Sequence, residues 1–300
     1  MTVIKALPSE LSAYFDSITD LLQIEHLALP TSKPSARKQA IDLTSEMLKK
    51  ANSPEKSQIV QFLYKMNLLF APDPSLCLWV FDLSKIDLHD LDLRQICLYR
   101  ANLHHGSLSG TNLMDASFEL ANLQQTDLSG VNLQNANLTW AKLNNALVTN
   151  ADLNHVSLKA AVLDQAKFKE TNLEHADLGR ASLTDTKFEQ TTMNNADLFG
   201  VRGQHTNFHQ ANLKDALFVE ATLREATFTE AKLTGSVFTQ ANLTACNFED
   251  ANLQGAKFKE ATLTGSNFTG ANLDGAKFDY TIMPNGKVFD EGLPVEEQLI

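Results

Sequence analysis

ANLKDALFVEATLREATFTE, residues 211–230, decides how this chain folds. It divides into four five-residue units with Leu213, Phe218, Leu223 and Phe228 at the third place and Ala211, Ala216, Ala221 and Ala226 two places earlier. Working outward, the same phase holds without insertion from Leu83 to Met283. That makes forty-one positions holding Leu, Phe or Met, with Val148 and Gly203 the two departures. Asn, Asp or another short polar residue usually stands between the small and the large one, as in Ala101-Asn102-Leu103 and Ala271-Asn272-Leu273.

Self-similarity at a fixed short period marks a solenoid, in which each unit buries its apolar face only against its neighbours. Five matches neither the 3.6 of a helix nor the 2 of a strand. It suits a short extended stretch and a turn, with the large residue on the axis, the small one in the corner beside it, and the polar residue between them facing out.

The A(N/D)Lxx pattern, as in Ala211-Asn212-Leu213-Lys214-Asp215, closely resembles the pentapeptide-repeat proteins. The resemblance covers about two-thirds of the chain. It implies an all-β solenoid, a right-handed quadrilateral parallel β-helix with four units per coil, preceded here by a small α-helical region. The 205 residues from 81 to 285 then make about ten coils, and at roughly 4.8 Å per coil a rod about 50 Å long. Residues twenty apart are expected to stack, so Phe168, Phe188, Phe208, Phe228, Phe248 and Phe268 form one ladder, and Phe218, Phe238, Phe258 and Phe278 a second on the opposite face. Gly203 leaves a gap where Leu belongs, a change of about 2–5 kcal/mol in a packed core, and Val201-Arg202-Gly203 reads as a dent or bulge.

Residues 1–80 lack the repeat and read as three helices. The first opens at Ser9-Glu10 and carries Leu11, Phe15, Ile18, Leu21 and Leu22; the second carries Ala40, Ile41, Leu43, Met47 and Leu48. The third starts at Ser53-Pro54, a capping hydroxyl before a first-turn proline, and carries Ile59, Val60, Phe62, Leu63, Met66 and Leu69. A helical cap has a physical reason, because an open solenoid end exposes unpaired backbone edges. The first coil, with bulky Phe81, Ile86, Leu91 and Ile96, is the expected join. At the far end Val288, Phe289, Leu293 and Val295 are expected to fold over the last coil, within a tail of residues 286–300.

The net charge of −11 belongs to the rod and tail. Residues 1–80 balance eight acids with eight bases, and residues 81–300 hold 28 acids and 17 bases. Cys77, Cys97 and Cys246 have no framework spacing and read as reduced thiols of a cytosolic fold. Met1 to Pro8 contains no signal-peptide core, and no apolar run is long enough to span a bilayer. A cytoplasmic location follows, or secretion into a host cell if the chain is an effector.

Signatures of catalysis are missing: no glycine-rich phosphate loop, HExxH, clustered cysteine ligands or nucleophile elbow occurs. The chain therefore reads as non-enzymatic and without cofactor. His155 and His175 fall one coil apart at outward positions, but Asn135 and Asn195 beside them supply no third ligand, so the expectation is a solvated ladder rather than a metal site.

Two surfaces stand out. Leu120, Trp140, Phe199, Leu217, Val219 and Val237 occupy outward places on one side of the coil where the repeat elsewhere prefers polar residues, and Arg100, Arg180 and Tyr280 share that side. An apolar patch with aromatic and Arg members is the composition of a protein interface. Glu170, Glu189, Glu230, Glu249 and Asp250 form an alternative, acidic face.

The reading that follows is a scaffold for a protein partner, with a solenoid end also available for pairing two copies. The tail from Asp290 to Ile300 resembles the Glu-rich C-terminal signals of type IV secreted bacterial effectors. The rival reading is DNA mimicry, since the array is similar to the fluoroquinolone-resistance pentapeptide-repeat proteins, which implies binding to DNA gyrase. Magnitude weighs against it: a duplex about 50 Å long carries roughly 30 charges, and Lys167, Lys169 and Lys187 interrupt the acidic face. Direct nucleic-acid binding is disfavoured by the negative charge of the rod.

Overall fold

From Phe81 onward each five-residue unit is an extended pair of residues followed by a tight turn. At the turn after Leu103, the Gly106 amide donates to the Leu103 carbonyl at 2.8 Å and His105 has φ +59°. Positive φ at the third residue of a hydrogen-bonded turn is the type II arrangement. It recurs at every fifth residue from Lys85 to Tyr280 (φ +52° to +72°), and none of those positions holds Val, Ile or Thr. Branching at Cβ is poorly tolerated at positive φ, so this place is restricted as firmly as the core.

The structure is a computed structural model and describes residues 8–25, 34–69 and 81–299. Parallel bridges join Asp82 to Asn102, Asp87 to Ser107, Asp92 to Asn112 and Cys97 to Ser117, and the same twenty-residue register continues to Thr262–Ile282. These four ladders make four faces per coil. Each face contributes a single bridging residue rather than a strand, because the turn consumes the rest of the unit.

Both phenylalanine ladders form, with stacked centroids 4.8–5.2 Å apart. Although they rise from opposite faces, they meet edge to face across the axis at 5.8–6.3 Å and 83–88°. Each such aromatic pair contributes about 0.5–1.5 kcal/mol beyond area burial. At the small inward place a hydroxyl does further work. Thr126, Thr186, Thr206 and Ser266 donate to the carbonyls of Leu103, Leu163, Leu183 and Leu243 on the preceding coil at 2.7–3.0 Å. The Cys246 thiol makes the same bond to Leu223 O at 2.8 Å.

The expected gap at Gly203 is closed. A Cβ there would lie 2.2 Å from Thr206 Oγ1 and 2.9 Å from Leu183 Cβ. The coil stays bridged, with the Gly203 amide 2.8 Å from Thr222 O, but residues 204–205 form a bend. Thr206 and Leu183 occupy the space into which a side chain at 203 would grow.

Helices α1 (Ser9–Glu25), α2 (Pro34–Lys50) and α3 (Ser53–Lys65) occupy the expected segments. The cap of α3 is Asn52 rather than Ser53: Asn52 Oδ1 accepts from the Glu55 amide at 3.0 Å, and Glu55 Oε2 accepts from the Asn52 amide at 2.9 Å. This capping box leaves Ser53 and Pro54 in the first turn. Phe15 and Phe62 pack with centroids 4.4 Å apart, and Tyr14 bonds Thr44 at 2.8 Å. α3 lies on the first coil. Lys56 Nζ donates to Ser84 O (3.0 Å), Ser57 Oγ to Asp87 O, and Tyr64 OH to Arg94 O (3.0 Å), while Leu69 O accepts from the Cys97 amide at 2.7 Å. Backbone groups that no preceding coil can pair are satisfied in this way.

Cys97 is disulfide-bonded, which overturns its reading as a reduced thiol; Cys246 is free and buried, and Cys77 lies outside the described residues. At the far end, Val288 pairs antiparallel with Ile282, Phe289 packs 5.5 Å from Phe278, and Val295 and Leu299 lie against the core. Val288 and Leu293 stay exposed, contrary to expectation: Val288 because alternate residues of the hairpin face away from the last coil, and Leu293 because it lies in the turn that follows. The short helix α4 (Val295–Gln298) is tied back through Gln298, whose Nε2 donates to Asp290 O at 2.9 Å.

Candidate interaction surface

The apolar side lies along the fourth ladder, which runs from Cys97 to Lys277, and the corner of turn residues that follows it. Going up that corner, one coil at a time, stand Trp140, Ala160, Arg180, Gly200 and Glu220, all at φ between +52° and +61°. The preceding turn positions are Thr139, Lys159, Gly179, Phe199 and Val219. Large side chains thus flank a stretch where Ala160, Gly179 and Gly200 offer almost none.

A hollow results. Trp140, Ala160, Arg180, Phe199, Gly200, Arg202 and Glu220 line a depression of about 690 Å3. A second hollow of about 370 Å3 shares Trp140, Ala160, Arg180 and Phe199 and adds Lys159, Asp177, Gly179 and Asp197. Trp140 is 59% exposed, high for the most lipophilic side chain in the array. The Arg180 guanidinium lies 5.8 Å above the Phe199 ring, in the cation–π range. Lys159 Nζ is held by Asp177 Oδ2 at 2.7 Å, and that bond raises the lysine pKa above its ordinary value. Among the described residues no carboxylate lies within ion-pair distance of Arg180 or Arg202.

Of the six apolar residues singled out from sequence, Trp140 and Phe199 share the hollow. Leu120 sits one coil before Trp140, its amide 3.0 Å from Thr139 O. Leu217 and Val237 bridge one another further along the fourth ladder, and Val219 O accepts from Gly200 N at 2.8 Å beside the hollow. Leu120 and Leu217 are exposed, while Val219 and Val237 are half-buried. The six thus fall into an aromatic part at the hollow and an aliphatic part along the fourth ladder. Sequence reading missed Ala160, Gly179, Gly200 and Arg202. The available signal was small residues at outward places of one ladder, which carry no mark of their own until coils are stacked.

The acidic residues run along the diagonally opposite corner. Glu170 pairs with Lys169 at 3.4 Å, Glu189 accepts from Asn207 Nδ2 at 2.9 Å, and Glu230 accepts from Gln210 Nε2 at 2.9 Å. Glu249 and Asp250 are exposed, and Glu230 N bonds Glu249 O at 3.0 Å. Lys167 bridges Lys187 on the neighbouring ladder. Glu230, Glu249 and Asp250 cluster on two successive coils, and Lys167, Lys169 and Lys187 lie toward the Glu170–Glu189 end of the corner.

His155 and His175 stack 4.8 Å apart with rings 6° from parallel. Among the described residues no group of three or more His, Cys, Asp or Glu side chains is placed to hold a metal ion. His205 sits between Asp185 (3.4 Å) and Glu225 (2.9 Å) on a third corner, and its hydrogen bond holds the Glu225 carboxyl below the usual range. No helix among the described residues is long and apolar enough to cross a membrane.

Comparison with known proteins agrees with this architecture. The Pentapeptide repeats family matches residues 96–135, 132–169, 161–200, 204–240 and 241–279. No curated protein matches the sequence. Among solved structures, HetL, a pentapeptide repeat protein involved in heterocyst differentiation regulation in the cyanobacterium Nostoc, is 29% identical over 68% of this chain and 92% of its own, with a TM-score of 0.39. QnrB1, a plasmid-mediated fluoroquinolone resistance protein, is 17% identical over 62% and 89%, with a TM-score of 0.34. A thylakoid-lumen pentapeptide repeat protein of Arabidopsis thaliana is 27% identical over 33% and 66%, with a TM-score of 0.19. With the twenty-residue register of bridges and a family match over more than half of its length, the chain belongs to the pentapeptide repeat family.

Proposed function

We propose that this protein is a non-enzymatic interaction scaffold, in which a right-handed quadrilateral β-helix presents a fixed recognition face to a protein partner. The observation that carries the reading is the hollow between Trp140 and Phe199. A large exposed aromatic, a second aromatic under a guanidinium, and a concavity between them are the components of an interface hot spot. The backbone around them is held by inter-coil hydrogen bonds of 2.7–3.1 Å, so the face is ordered before a partner arrives and little conformational entropy is lost on docking.

The test is photo-crosslinking from native lysate with benzoyl-phenylalanine at Leu120, beside the hollow but not lining it, comparing the otherwise wild-type chain with Trp140→Asp/Phe199→Asp. Loss of a specific crosslink in the folded double variant supports the reading; an unchanged crosslink pattern refutes it. A second crosslinker at Thr269, exposed on the acidic corner, separates DNA mimicry: gyrase subunits captured there equally by both forms would favour the acidic corner of Glu230, Glu249 and Asp250.

A further inference from the structure

The hollow has a chemical polarity along the rod. Trp140 and Glu220 stand four coils apart on one ladder, about 19 Å at roughly 4.8 Å per coil, and Arg180 stands midway. An extended peptide rises about 3.3 Å per residue, so some six residues span that length.

Glycine at 179 is not demanded by the backbone. Its φ lies outside the left-handed region, and a Cβ there would meet only Asp177 Oδ1 at 3.2 Å and Phe199 O at 3.9 Å. At Gly200 a Cβ would meet only Arg180 Cγ at 3.6 Å. Other units put long side chains at both places, so what the small residues supply here is space.

Charge identifies what fills the space. The rod and its tail are acidic, yet the depression carries Arg180 and Arg202 against Glu220. The nearby Lys159 is paired with Asp177 and the Asp197 carboxylate accepts from the Phe199 amide, while among the described residues neither guanidinium has a carboxylate within ion-pair distance. Two unpaired guanidiniums beside an apolar concavity fit a carboxylate that follows an apolar side chain.

We propose that the corner from Trp140 to Glu220 binds an extended acidic peptide segment of a partner protein. An apolar side chain of the peptide sits between Trp140 and Phe199, and an Asp or Glu about three residues further along is held by Arg180 and Arg202. Glu220 disfavours a second acid at the far end and favours Lys or Arg there. The proposal rests on the scaffold reading and names the class of partner.

The probe is an array of synthetic hexapeptides with Leu, Ile, Met, Phe, Tyr or Trp at the first place and Asp or Glu two, three or four places later. A matched set has the acid exchanged for Lys, and the chain's own segment 288–299 is included. Binding is read by fluorescence anisotropy on the full-length protein. The expected result is selective binding of acid-bearing members, weakened by added salt, and reduced about tenfold or more by Arg180→Glu, as loss of a charge-assisted hydrogen bond requires. Gly179→Gln and Ala160→Gln, which fill the hollow and remove no binding group, are expected to abolish it with an unchanged circular dichroism spectrum. Binding of no acidic member above its Lys counterpart overturns the proposal, as does binding indifferent to Gly179→Gln. Preference for segment 288–299 with concentration-dependent dimerisation also overturns it, in favour of self-association. If the array fails while the crosslink at Leu120 is still lost in the Trp140→Asp/Phe199→Asp form, the scaffold reading stands and the peptide class alone is wrong.

Discussion

Restoring the repeat at Gly203 is expected to destabilise the protein. A leucine is what forty-one units of pattern call for, and filling a true void would recover part of the 2–5 kcal/mol that a large-to-small change costs. The geometry reverses the sign. A Cβ at residue 203 meets Thr206 Oγ1 at 2.2 Å and Leu183 Cβ at 2.9 Å before any of the leucine beyond it is placed. Thr206 can turn its hydroxyl, but it then gives up its 2.9 Å bond to Leu183 O, about 1 kcal/mol. Leu183 is 0% exposed and has no free direction to move. Overpacking of this kind costs about 1–3 kcal/mol. Gly203→Leu should therefore lower the unfolding free energy read from urea melts by that amount, and Gly203→Ala by less, because alanine regains about 0.4–1 kcal/mol through the unfolded chain. Thr206→Ala should cost about 1 kcal/mol alone yet relieve part of the Gly203→Leu penalty, a coupling measurable in a double-mutant cycle. A raised midpoint for Gly203→Leu would show that the space is open, and the account of a site filled by Thr206 and Leu183 would fail.

Phe228→Ala removes a ring in contact with Phe208, Phe248, Phe218 and Phe238. It should cost about 3–5 kcal/mol, with hydrogen exchange rising first in the adjacent coils because solenoid units contact only their neighbours. Ala245 sits at φ +58°, so Ala245→Gly should stabilise the rod by about 1 kcal/mol in thermal melts, whereas Ala245→Val should destabilise it. Burial pushes the Cys246 thiol up to about 12, so Ellman's reagent at pH 8 should label it only on unfolding. Because the native pKa is raised, its contribution is intact below the unfolded value of 9.0 and is lost as pH climbs toward 12, which a melt series across that window would detect. Glu225 is lowered by its bond to His205, so its contribution is present above 4.5 and fades as pH falls below it; His205→Ala should move the Glu225 carboxyl resonance titration upward.

The repeat, its register and its stacking were legible in residues 81–285 because one constraint, a large residue every fifth place, is written forty-one times. Each phenylalanine ladder and the His155–His175 stack follow from counting by twenty, since a coil of fixed length turns sequence separation into position. The three helices were legible from 3.6-residue spacing, although the cap at Asn52 was hidden beside a Ser-Pro pair that also reads as a start. Other features depend on the way coils and ends meet. The two ladders touch edge to face because the axis is narrower than two rings side by side. The Gly203 gap is closed because Thr206 and Leu183 stand where its side chain would grow, a packing that no count of residues contains.

The candidate site divides the same way. Trp140 and Phe199 announced themselves as apolar residues at polar places. Ala160, Gly179, Gly200 and Arg202 are ordinary in sequence, and only their stacking on successive coils makes a concavity with two unpaired guanidiniums at its edge. By itself the sequence determined a solenoid with four faces, an apolar side and an acidic corner, because periodicity is a local rule repeated. Tertiary structure decided where that surface is hollow, since a hollow is made by side chains twenty and forty residues apart that are missing together.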